Sequence, residues 1–159
     1  MNTKFKLTLV MLAGGVIGAT TAFAQQPSGS SDEAKAMLGK AMVAVRADKD
    51  KALTMFNNGE GGFKDRDLYP FCIEFSDGKM LANSNAKQLV GQDARTLKDS
   101  TGHNYGQDIY DAAKGAKEGE IVESTTFLFP RPGPDKTPVA KLAFLEKAGD
   151  IYCGVGYYK

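Results

Sequence analysis

The chain has 159 residues, with 20 Lys+Arg against 19 Asp+Glu, one His, two Cys and no Trp. That length suits one domain with one core, and 42% apolar with 25% charged residues is ordinary globular composition rather than disorder. A balanced charge without a basic tract excludes nucleic acid as the main partner.

The N-terminus reads as a secretory signal peptide over residues 1–24. Lys4 and Lys6 form a basic start, residues 7–22 carry no charge, and Ala22-Phe23-Ala24 offers a small-x-small cleavage pattern before Gln25. A retained N-terminal anchor is the alternative; the apolar core is short for a span and is interrupted by Gly14, Gly15 and Gly18. Removal of the two leader lysines leaves 18 basic against 19 acidic side chains. The expected product is a periplasmic or secreted protein with no membrane span after cleavage. In that oxidising compartment Cys72 and Cys153 can form one bridge, with two separate buried thiols as the alternative.

Residues 25–31 form a polar Ser/Gly leader expected to be flexible, and a domain is expected over residues 32–159. Ser30 with Glu33 matches a capping box. Ala34, Leu38, Ala41, Val45, Ala52 and Phe56 follow at helical spacing, so one long helix is predicted, ending at Asn57-Asn58-Gly59. The pattern then turns to strands. Tyr69, Phe71, Ile73 and Phe75 alternate, Asp77-Gly78 marks a tight turn, and residues 79–83 return as the second strand of a hairpin. A glycine-punctuated insert over residues 85–114 suits short helices and loops, with its best helical stretch starting at Ile109 and running to residue 116. Residues 121–129, 138–147 and 151–158 read as three further strands without a parallel crossover. The fold class is therefore α+β.

These residues resemble a known family. Leu68-Tyr69-Pro70-Phe71, Asp77-Gly78 and Ala82-Asn83 are similar to the first hairpin of single Cache domains, extracytoplasmic relatives of PAS domains. Leu89-Val90-Gly91, Leu97-Lys98-Asp99 and Gly102 resemble the insert that follows, and Phe129-Pro130-Arg131-Pro132, Lys141 and Gly154-Val155-Gly156-Tyr157-Tyr158 resemble the closing strands. The resemblance implies a PAS-like, five-stranded antiparallel sheet with the long N-terminal helix packed alongside. It also implies that the first and last strands are neighbours, which would bring Cys72 beside Cys153 in a disulfide.

Chemistry-bearing residues are few. His103 is the only imidazole, so a hydrolytic mechanism would have to run through it with an acid such as Asp99 or Asp108. No cofactor or metal is expected: two Cys and one His make no zinc site, and the acids at 65, 67, 108 and 111 lack calcium-loop spacing and read as solvated. Lys141 stands out because it interrupts an apolar strand, where it must either reach solvent or meet an anion. In single Cache domains a Lys in the corresponding strand lies near the pocket, so the resemblance implies a ligand contact. Arg131, between two prolines, suits bidentate capture of a carboxylate or an exposed turn. Tyr69, Phe71, Tyr105, Phe127, Phe129 and Tyr152 supply pocket wall or plain core.

The expected function is binding of a small organic acid or similar metabolite by a sensor-type domain without turnover. Lys141 and Arg131 would meet the anion, and His103, Tyr105, Tyr69, Phe127 and Tyr152 would complete the site. An envelope signalling or redox protein is the expected partner. A small envelope enzyme using His103, and an accessory subunit of an envelope complex, are the alternatives.

Overall fold

A computed structural model describes residues 28–159. The expected signal peptide and the first part of the polar leader lie outside the described residues. The end of that leader is tied down rather than free: Gly29 is buried and its N–H donates to Asp67 Oδ1 at 2.7 Å. Ser30 then caps α1 (Ser31–Ala47), its hydroxyl accepting from the Glu33 N–H while the Glu33 carboxylate accepts from the Ser30 N–H.

The expected single helix is two. At Asp48 the backbone turns extended and the Asp48 side chain accepts from the Lys51 N–H, capping α2 (Lys49–Asn58). Periodicity could not reveal this break, because Ala52 and Phe56 join the same core as Ala34, Leu38, Ala41 and Val45. Gly59, in the left-handed conformation, ends α2.

β1 (Pro70–Glu74) and β2 (Met80–Asn83) form the expected hairpin. Two short 3₁₀ turns, Lys87–Leu89 and Ala94–Thr96, lead to α3 (Tyr105–Gly115). β3 (Ile121–Glu123), β4 (Phe127–Pro130), β5 (Pro138–Ala148) and β6 (Ile151–Tyr158) complete the sheet, in the order β2-β1-β6-β5-β3, with every pairing antiparallel. β3 and β4 lie along one edge of β5, so the sheet has five strand positions, with the last one interrupted. Ser124 explains the interruption. Its hydroxyl accepts the Ala143 N–H at 2.9 Å, so a side chain stands where the ladder would use a backbone carbonyl.

Successive residues of each strand face opposite sides of the sheet. Cys72, Leu142, Phe144, Ile151, Cys153 and Val155 pack against α1 and α2 in one apolar cluster. Phe71, Ile73, Ala143, Leu145 and Tyr152 face the other way, toward α3. Cys72 and Cys153 are register partners on β1 and β6 and are joined by a disulfide, so the expected bridge is present. Among the described residues no helix is long and apolar enough to cross a membrane.

Candidate functional site

The second face does not close completely. α3 stands over it on Tyr105, Ile109 and Ala113, spaced to face the sheet, and Asn104 caps its first turn by accepting the Gln107 N–H. The Tyr105 ring stacks on Phe127 of β4, with centroids 4.5 Å apart and planes within 8°. Burial, with smaller contributions from Tyr69 and Asp99, pushes the Tyr105 hydroxyl up to about 12, so it stays a neutral donor. Between α3, the insert and the sheet lies a cavity of about 40 Å³. Its walls are Phe71, Ile73, Met80, Leu97, Ile109, Phe127 and Phe129, and its polar groups include Tyr69, Tyr105, Asn83 and Lys141.

Lys141 is the cavity's one cation. It sits on β5 between its register partners Phe127 on β4 and Tyr158 on β6, and is only 4% exposed. Its ammonium donates to Tyr69 Oη at 3.0 Å. It also lies over three rings, with Nζ 4.5 Å from the centroid of Tyr69, 4.6 Å from Tyr158 and 5.2 Å from Phe129. Among the described residues no carboxylate comes within 4 Å of it. Ring faces offset part of the cost of burying a charge, typically by about 0.5–2 kcal/mol each. They do not supply a counter-ion.

Gly156 makes room for that lysine. It lies on the same face of β6 as Tyr152 and Tyr158, and a Cβ built there would stand 2.5 Å from Lys141 Cε. The missing side chain lets the lysine stem lie across the sheet and lift its head into the aromatic cage.

Four of the seven residues expected at a ligand, Lys141, Tyr69, Tyr105 and Phe127, line this cavity together. The other three do not. Tyr152 is fully buried further along the sheet, 5.0 Å from Phe75 and 6.3 Å from Tyr110 between centroids, and its hydroxyl has no hydrogen-bond partner among the described residues. His103 is held between acids. Its Nε2 is 2.7 Å from Asp108 Oδ2 and its Nδ1 3.8 Å from Asp99 Oδ2. Asp99 in turn accepts N–H groups from Thr101, His103 and Leu128 and the Thr101 hydroxyl, which together pull its carboxyl down to about 2. This knot fastens the loop before α3 to β4.

Arg131 points away from the cavity. One guanidinium nitrogen donates to Asp67 Oδ2 at 2.9 Å and to the Ser28 hydroxyl, and the guanidinium lies 4.3 Å from the Tyr158 centroid. Asp67, expected to be solvated, is instead 7% exposed. Local sequence shows a charged loop at 64–67, and nothing in it announces a partner 64 positions away. Tyr158 was not among the expected site residues. Strand alternation from Tyr152 through Gly154 and Gly156 was the signal that would have placed it.

A second, open groove runs along α3 and the Ala94–Thr96 turn, lined by Asp93, Arg95, Lys98, Gln107, Asp111 and Lys114 among others. Arg95 is committed there to Asp93 at 2.6 Å and to the Asp77 carbonyl.

The architecture is similar to solved sensor domains. A methyl-accepting chemotaxis protein from Vibrio parahaemolyticus RIMD 2210633 superposes with a TM-score of 0.62 at 20% identity, covering 80% of this chain and 86% of that one. A structure titled as the periplasmic sensor domain of a chemotaxis protein gives 0.55 at 19% identity, covering 80% and 88%. A third, titled for carboxylic acid recognition by a Cache chemosensory domain, gives 0.57 at 20% identity, covering 80% and 86%. At these identities the likeness shows the fold. No curated protein matches the sequence. The family model for single Cache domain 2 matches residues 7–158, and with the sheet, helices and disulfide already described, the chain belongs to that family of extracytoplasmic sensor domains.

Proposed function

We propose that this domain binds a short monocarboxylate in the cavity over β5, without turnover, and that an envelope partner reads its occupancy. The observation that carries the reading is Lys141, a buried ammonium ringed by Tyr69, Phe129 and Tyr158 with no carboxylate within 4 Å among the described residues. An anionic ligand supplies the missing partner and takes a charge-assisted hydrogen bond. The similar domain whose title concerns carboxylic acid recognition supports the same chemistry.

Size and wall composition narrow the class. About 40 Å³ of open space holds roughly three waters, well below the cavities that take drug-sized ligands. One cation serves one carboxylate, since Arg131 is spent on Asp67, and the apolar walls suit an acid of two to four carbons in all with no second charge. His103, occupied by Asp99 and Asp108 away from the cavity wall, supports binding rather than hydrolysis. A periplasmic or secreted location agrees with the leader and with the similar periplasmic sensor domain.

A thermal-shift screen of short monocarboxylates, dicarboxylates, amines and purines tests this reading. Acetate, propionate or butyrate should raise the melting temperature saturably, and Lys141→Met should abolish the rise. Stabilisation by amines or purines instead, or a rise that survives in Lys141→Met, would contradict it.

A further inference from the structure

We propose that Arg131 and Asp67 form a latch through which the charge state of the cavity governs the segment entering α1. The proposal rests on the carboxylate reading of Lys141.

Two cations share one aromatic ring. Lys141 Nζ stands 4.6 Å from the Tyr158 centroid and Arg131 Cζ 4.3 Å from it. Only Arg131 has a carboxylate, and that carboxylate is Asp67, two residues before the Tyr69 that accepts from Lys141. Asp67 uses its second oxygen to hold the Gly29 N–H at 2.7 Å, and Arg131 also holds the Ser28 hydroxyl. Gly29 is packed so closely on Leu68 that a Cβ there would overlap the leucine side chain. An unbroken line of contacts therefore runs from the cavity cation, through Tyr158, Arg131 and Asp67, to the backbone just ahead of the Ser30 cap.

The sign follows from electrostatics. With the cavity empty, the Lys141 ammonium repels the guanidinium across a low-dielectric ring. A ligand carboxylate cancels that repulsion, so the filled cavity favours Arg131 seated on Tyr158 and Asp67. By linkage the closed latch favours the anion by the same factor. Removing Arg131 has the opposite effect, because it leaves Asp67 as an unpaired buried acid that competes with the ligand for the field of Lys141.

Amide hydrogen exchange on the purified protein, with and without saturating sodium propionate, tests the latch. Propionate should slow exchange at Gly29 by about fivefold or more, the low end of typical coupling. In Arg131→Gln, exchange at Gly29 should be fast and indifferent to propionate, and propionate should bind more weakly than to the unaltered protein. Propionate that slows exchange around Tyr105 and Ile109 while leaving Gly29 unchanged would overturn the latch and leave the binding reading intact. The same holds if Arg131→Gln keeps the full response at Gly29. No change at any amide would overturn both.

Discussion

The two faces of the sheet come from the same strands, residue by alternate residue, yet they are built to opposite rules. Toward α1 and α2, Cys72, Leu142, Phe144, Cys153 and Val155 meet Leu38, Met42 and Phe56, and the buried acid on that face, Glu146, is paired with Arg46 of α1 at 2.6 Å. Toward α3, β6 offers Gly154 and Gly156 where the other face has Cys153 and Val155, and β5 offers Lys141. The glycines leave space for Phe71 and for the lysine stem. One face is filled to hold the domain together. The other is left short of side chains and holds a charge and a cavity, the departure from what stability alone would select that the proposed site calls for.

That contrast breaks down if damage to the first face fails to cost more than damage to the second. Replacing both Cys72 and Cys153 by Ala releases a link spanning 81 residues, and the chain-entropy model puts the loss at about 4.5 kcal/mol. Urea unfolding should show it as a large drop in midpoint, while propionate affinity of the folded fraction stays unchanged. On the opposite face, Gly156→Ala pushes a methyl into Lys141 Cε and should cost about 1–3 kcal/mol by overpacking. Unlike the cysteine pair it should also weaken propionate binding, because the ammonium is displaced from its cage.

Lys141→Met sharpens the comparison by reversing the sign. It removes a buried charge while keeping an unbranched apolar stem, so the unfolding free energy from urea titration should rise by on the order of 1–2 kcal/mol while binding is lost. A variant that unfolds more easily would mean that the lysine serves the core rather than the site.

The smallest effect concerns the knot beside the cavity. Asp99 has its carboxyl held down at about 2, first by the Thr101 hydroxyl and then by backbone N–H groups, against an ordinary value near 4. A depressed folded-state value stabilises the fold above the unfolded-state value, and that contribution is lost as pH falls from about 4 to about 2. Melting temperature measured across that window should fall more steeply for the unaltered protein than for Asp99→Asn. Equal slopes would show that the knot adds nothing.

How much of this was legible in the sequence follows the range of each interaction. The Ser30–Glu33 box, the Gly59 stop and the Asp77-Gly78 turn are local, and each element begins or ends there. The order and spacing of short motifs carried the family, and with it the neighbouring strands that hold the disulfide. Breaks that preserve the apolar phase left no trace, neither Asp48 between α1 and α2 nor Ser124 between β3 and β4. At the site, Lys141 was legible because a charge inside an apolar strand conflicts with its surroundings. Arg131 was misdirected because its partner is fixed by tertiary contact: Asp67 lies in a polar loop and becomes a buried acid only when Gly29 and Arg131 close on it.

The central claim is that the cavity cation awaits a carboxylate. A crystal structure of the protein soaked in propionate tests it most directly. The predicted result is one carboxylate within about 3 Å of Lys141 Nζ, its carbon tail against Phe71, Ile109 and Phe127. Propionate lying instead in the open groove between Arg95 and Lys114, with the cavity over β5 left without it, would contradict the account.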